Sequence, residues 1–184
     1  MGFKSWETPQ EFFAALNEEF SFTLDAAASH KNALCRLYYT PEGLFSKSDG
    51  AYTTENYGDD GLRGAWAGHR VFCNPPYDSS LSRWVAKAAF ATQREAEVAV
   101  LLLPPSIDTA WFHDFIWDER IDGSRNYCEI RFLRGRLKFW HPALRAGFKL
   151  VDHGKQGDSI FDFSLPHVPG PAPRAGNMLV IFRR

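Results

Sequence analysis

From residue 9 onward, apolar residues return at three- and four-residue spacing: Phe12, Phe13, Leu16 and Phe20 share one face of a helix. Thr8 fits the N-cap, Pro9 the first helical position and Glu11 the third, together a capping box. From Phe20 to Asp25 the pattern switches to alternation, which predicts a strand running into Asp25-Ala26-Ala27-Ala28-Ser29. Residues 30–69 keep no period, and no sustained helix is expected there. Arg70-Val71-Phe72-Cys73 predicts a strand, and Leu81, Trp84, Val85 and Ala88 predict a helix over about 80–93. Val98–Leu103 is a continuous apolar run stopped by Pro104-Pro105, the mark of a central parallel strand covered on both faces. Thr109 to Trp117 reads as helical. Strands are expected at Cys128–Leu133, Leu137–Trp140, Ser159–Leu165 and Asn177–Phe182, with a Pro/Gly-rich connection over 166–176. This order implies an α/β protein with a mixed, mostly parallel sheet whose antiparallel part lies at one edge.

Composition narrows the class. At 184 residues the chain is most simply one domain, 1–184, and 45% hydrophobic content supports a packed core. No run of 18 apolar residues suggests a membrane span, and the N-terminus lacks the apolar centre of a signal peptide. Cys35, Cys73 and Cys128 form neither a disulfide framework nor a zinc pattern, so a reducing cytoplasm and no metal are the expectation.

The most informative stretch is Asn74-Pro75-Pro76-Tyr77, between the strand at 70–73 and the helix near 80. It puts an amide, a stiff diproline and an aromatic ring at the C-terminal end of a strand, where open α/β sheets bind ligands. The Asn74 side-chain carbonyl and a peptide carbonyl at 74 or 75 supply two acceptors for one planar NH2 group. The prolines fix φ and bring no N–H to compete for those carbonyls. Tyr77 offers a face on which a base can stack. Asp78 reads as a cap for the following helix, with a proton sink as the alternative.

A formal net charge of -1 gives no global basic field. Locally, however, 131–150 carries Arg131, Arg134, Arg136, Lys138, Arg145 and Lys149 and no acid before Asp152, with Phe132, Phe139 and Trp140 interleaved. That is a candidate phosphate-contacting segment; a solvated face over core aromatics is the other reading.

Taken in order, these features resemble the phage-type DNA N-6-adenine methyltransferases. The matching pieces are Trp6-Glu7-Thr8-Pro9 with Phe12-Phe13, Phe22-Thr23-Leu24-Asp25-Ala26-Ala27-Ala28, Asp60-Gly61-Leu62 before Trp66, and Phe72 through Tyr77. Trp84-Val85, Leu102-Leu103-Pro104, Trp111-Phe112-His113 and Gly135-Arg136-Leu137-Lys138-Phe139 follow. The resemblance implies a Rossmann-like fold, S-adenosylmethionine as cofactor and double-stranded DNA as partner. It implies that Thr8 and Pro9 lie near the cofactor's methionine, that Asp25 and Ala26 open the cofactor loop, and that Asp60 contacts its adenine. Asn74, which also adjoins the cofactor, Pro75, Pro76 and Tyr77 would form the catalytic turn. One departure stands out: where such enzymes carry a Gly-rich loop, this chain reads Ala26-Ala27-Ala28-Ser29. Same-fold enzymes acting on an RNA base or a glutamine amide, and an inactive DNA-binding relative, are the alternatives.

Overall fold

The computed structural model describes residues 7–48, 51–134, 137 and 176–184. In chain order the elements are α1 (Gln10–Phe20), β1 (Leu24–Asp25), β2 (Leu37–Thr40), β3 (Gly43–Ser48), β4 (Ala51–Tyr57), β5 (Arg70–Cys73), α2 (Leu81–Arg94), β6 (Val98–Leu103), α3 (Ala110–Phe115), β7 (Trp117–Asp118), β8 (Gly123–Ser124), β9 (Cys128–Phe132) and β10 (Met178–Arg183). Among the described residues the main sheet has the order β4-β3-β2-β1-β5-β6-β10-β9. Its centre is parallel, β2-β1-β5-β6. Both flanks are antiparallel: β3 and β4 on one side, β10 and β9 on the other. The chain is therefore α/β with a mixed sheet, and the antiparallel pairing expected at one edge occurs at two.

Alternation along the central strands sorts the core into two layers. Val71 and Cys73 of β5 face the cluster that holds Trp84, Val85 and Ala88 of α2, with Phe112 of α3. Phe72 faces the opposite cluster, with Phe12, Phe13, Leu16 and Phe20 of α1. Covered on both faces, every residue of β6 is buried, as a continuous apolar run predicts.

Three boundaries differ from the sequence reading, each for a physical reason. Helix α1 begins at Gln10 with Pro9, not Thr8, as its N-cap, and Pro9 has no side-chain cap to offer; Thr8 lies one residue earlier, with its hydroxyl accepting from Asn74. The strand expected from Phe20 shrinks to Leu24–Asp25. Phe20 belongs to the apolar face of α1, Ser21 turns left-handed (φ 49°), and Asn17 Oδ1 accepts the Phe22 N–H at 2.7 Å. Phe22 then stacks against Phe13 and Phe20, so the apparent alternation is an aromatic cluster at a helix end. Trp117 leaves α3 for a two-stranded hairpin, β7 with β8.

The meander β2-β3-β4 occupies the stretch that showed no period. Its outer strand, Ala51–Tyr57, is exposed wherever its side chains are described and carries Thr53, Thr54, Glu55 and Asn56, so no apolar face marks it in the sequence. Of the strand expected at Leu137–Trp140 only residue 137, and of the connection expected at 166–176 only residue 176, is among the described residues; the strand expected at 159–165 and Arg136, Lys138, Arg145 and Lys149 lie outside them.

Candidate active site

The four parallel strands end on the same side of the sheet. After β1 the chain moves to β2 on one side; after β5 it moves to β6 on the other. The crevice between the C-terminal ends of β1 and β5 is thus the topological switch point, where open α/β sheets take ligands. Asp25-Ala26 borders it from β1 and Asn74 from β5. The Ala26 N–H donates to the Phe72 carbonyl at 2.9 Å, which carries the β1–β5 pairing one residue past Asp25.

Asn74 Nδ2 donates to Thr8 Oγ1 at 3.0 Å. A residue before α1 therefore braces the amide after β5, and the expected helix cap is a contact within the site. Pro75 is buried and Pro76 exposed, so the diproline crosses from core to surface in one step. Tyr77 is pinned at its far end: its hydroxyl donates to the Leu102 carbonyl at 3.1 Å, and Asn177 Nδ2 donates to that hydroxyl at 3.2 Å. Burial pushes the Tyr77 phenol well above its ordinary pKa. Asp78 is exposed and organises the approach to α2, its Oδ1 accepting from the Ser80 backbone and hydroxyl at 2.7 and 2.6 Å.

Asp25 is buried at 3% exposure. Its carboxylate accepts from the Leu34 N–H at 3.1 Å and the Ala27 N–H at 3.4 Å. Desolvation outweighs those hydrogen bonds and raises its pKa to about 6. Cys35 and Cys73 are buried nearby; burial, with a further push from the Asp25 charge, raises both thiols, which keeps them protonated and unreactive.

Asp60 and Ala26 meet through Gly61. A Cβ on Gly61 would fall 1.9 Å from the Ala26 carbonyl oxygen, so only glycine permits this backbone approach. Asp60 Oδ1 accepts from the N–H groups of Leu62 and Arg63 at 3.1 and 3.0 Å, and the Gly61 carbonyl accepts from the Trp66 indole at 3.0 Å. Gly61 thus sets the close approach between its loop and the Ala26-Ala27-Ala28 stretch.

The basic segment divides. Arg131 forms a two-pronged pair with Glu19 at 2.6 and 2.7 Å and bonds Glu129 at 2.6 Å, with its guanidinium 5.5 Å from the Phe20 ring centroid. Its hydrogen bond holds the Glu19 carboxyl below the usual range. Arg131 thereby fastens β9 to α1. Arg134 differs: it is exposed and follows Leu133, whose N–H donates to the Asn177 carbonyl at 3.1 Å. Since β9 runs antiparallel to β10, and β10 antiparallel to β6, Arg134 emerges at the same end of the sheet as Asn74 and Tyr77. Among the described residues, no group of three or more His, Cys, Asp or Glu is placed to hold a metal.

Against this geometry the comparisons are specific. Residues 4–162 match the family described as DNA N-6-adenine-methyltransferase (Dam). The chain belongs to that family. Residues 4–162 include every expected site residue, from Thr8 to Lys138. A DNA N-6-adenine-methyltransferase of Escherichia phage T1 is 30% identical over 170 residues. That alignment takes in 85% of this chain and 60% of the phage protein, so the chain spans about three-fifths of the length of this relative. Two further residues touch the candidate site residues in the structure, Asn177 at Tyr77 and Gly61 at Ala26. In the sequence Asn177 stands only as the first residue of the strand expected at Asn177–Phe182, and Gly61 only inside the matched piece Asp60-Gly61-Leu62, with no role of its own.

Proposed function

We propose that this protein transfers a methyl group from S-adenosylmethionine to N6 of adenine in DNA, on a Rossmann-like methyltransferase sheet. The observation that carries the reading is Asn74: a braced amide at the switch-point end of β5, followed by Pro75-Pro76-Tyr77, in a member of the adenine methyltransferase family. The sheet order, with antiparallel β10 set between β6 and β9, supports the fold assignment.

The crevice fits the cofactor. The small side chains at 26–28 and the close Gly61–Ala26 approach support a crevice bordered by backbone groups. Asp25, Ala26 and Asp60 would hold the cofactor, with Pro9 at its methionine end. S-adenosylmethionine supplies an electrophilic methyl group when bound. The residues of this chain align the acceptor and place dipoles. Asn74 Oδ1 and a peptide carbonyl at 74 or 75 accept the two N6 hydrogens, which draws the amine lone pair out of the ring. The same dipoles stabilise positive charge developing on N6. The N6 product loses its proton readily, so no strong base is required.

An adenine within a duplex reaches this turn only when flipped out, at a cost of a few kcal/mol. Stacking on Tyr77 returns about 1–3 kcal/mol. Arg134, with Arg136 and Lys138 beyond the described residues, would contact phosphates; Arg131 contributes by fixing β9. Such a role belongs to the cytoplasm, where DNA is accessible. The test is incubation with unmethylated DNA and labelled cofactor, followed by mapping of N6-methyladenine by sequence context. Label in adenine of DNA is expected; label confined to RNA, to protein, or absent would overturn the assignment.

A further inference from the structure

We propose that Asn177 is a positioning residue for Tyr77, holding its ring in the plane on which the target base stacks. The role rests on the function proposed above. Asn177 precedes β10 and is 2% exposed. Its backbone carbonyl is tied to Leu133 N–H, and its Nδ2 donates to the Tyr77 hydroxyl at 3.2 Å. With one lone pair so occupied, that hydroxyl sends its proton to the Leu102 carbonyl at 3.1 Å. The ring is therefore held at both ends of its long axis: at Cβ by the turn after Pro75-Pro76, and at the hydroxyl by β6 and the start of β10.

The second observation concerns the other half of the amide. Among the described residues, Asn177 Oδ1 is buried without a hydrogen-bond partner. An orphaned buried acceptor destabilises a fold, and an apolar side chain of similar size would avoid that cost. Asn177 is thus a poor choice for packing and a good one for donating to Tyr77. Its place also links two parts of the site, since the strand end that carries Leu133 and Arg134 bonds the same residue that orients the ring.

The experiment is a double-mutant cycle of Asn177→Leu and Tyr77→Phe in the full chain. It follows kcat on unmethylated DNA, KM for S-adenosylmethionine and melting temperature. Asn177→Leu is expected to lower kcat about tenfold, the rate equivalent of one lost hydrogen bond. KM for the cofactor should hold and the melting temperature should not fall, because the orphaned oxygen is removed with the donor. Tyr77→Phe should cost a similar factor, and the double variant should be no slower than the slower single one. Wild-type kcat in Asn177→Leu, multiplying effects in the double variant, or a loss that tracks a lowered melting temperature would each overturn the role. If Asn177→Leu does not fold, Asn177→Ala is read in the same cycle. A wild-type protein inactive on DNA would overturn the proposed function and this role with it; an active wild type with no coupling overturns this role alone.

Discussion

The hydroxyl oxygen of Thr8 accepts a 3.0 Å hydrogen bond from Asn74 Nδ2, joining the chain before α1 to the turn after β5. With Nδ2 directed at Thr8, the carbonyl oxygen of the amide is turned away from it. Thr8→Val keeps the shape and removes the acceptor. It should lower kcat about tenfold while calorimetry finds cofactor affinity within about twofold of wild type. Thr8→Ser should recover most of the rate. A fall in cofactor affinity with kcat intact would show instead that Thr8 serves the cofactor directly. Asn74→Ala should cost at least about a hundredfold, as loss of a preorganised dipole at the reacting atom does.

Gly61 tests the cofactor crevice. A methyl group there meets the Ala26 carbonyl at 1.9 Å, a backbone atom that cannot swing aside. Gly61→Ala should destabilise the protein by about 1–3 kcal/mol or more, the range for overpacking, and weaken S-adenosylmethionine binding. Urea midpoints and calorimetry would check both. Unchanged stability would mean that the two loops are not packed at this distance.

Asp25 should leave a signature in pH. Its pKa is about 6 in the folded protein, raised by desolvation, against about 3.9 in an unfolded chain. Between those values the native state binds the extra proton, so stability falls as pH rises from about 4 to about 6. At about 1.4 kcal/mol per unit the contribution approaches ~3 kcal/mol. Carboxylates held by arginines, such as Glu19, act in the opposite sense over acid pH, so the informative quantity is the difference between wild type and Asp25→Asn. The stability of wild type relative to Asp25→Asn should decline across that window, measured by urea midpoints at pH 4, 5, 6 and 7. A flat difference would sink the assignment.

Arg131 and Arg134 should separate by mechanism. Arg134→Ala should reduce the salt slope of DNA binding by about one. Arg131→Gln should leave that slope unchanged and lower stability by ~1 kcal/mol, because its partners are Glu19 and Glu129 on the protein's own surface. The reverse result would move the phosphate contacts from the loop after β9 back onto the strand.

The sequence by itself determined the elements whose apolar faces are unambiguous. Phe12, Phe13 and Leu16 had to bury one side of α1, Val98–Leu103 had to be a covered strand, and Asn74-Pro75-Pro76-Tyr77 had to follow β5 as a turn. Those features depend on local period and side-chain type, which the chain carries residue by residue. Tertiary structure alone decided the rest. The β2-β3-β4 meander follows from pairing with β1, which no hydrophobic period in Ala51–Tyr57 announces. Thr8 could cap its own helix or bond a distant amide, and only the packing of α1 beside β5 made the second choice. Arg131 and Arg134 look alike in a basic run; one pairs with Glu19 of α1 and the other opens to solvent. Asn177 lies 100 residues from Tyr77. Polar contacts between distant segments have no period, so they become visible only once burial has brought their strands together.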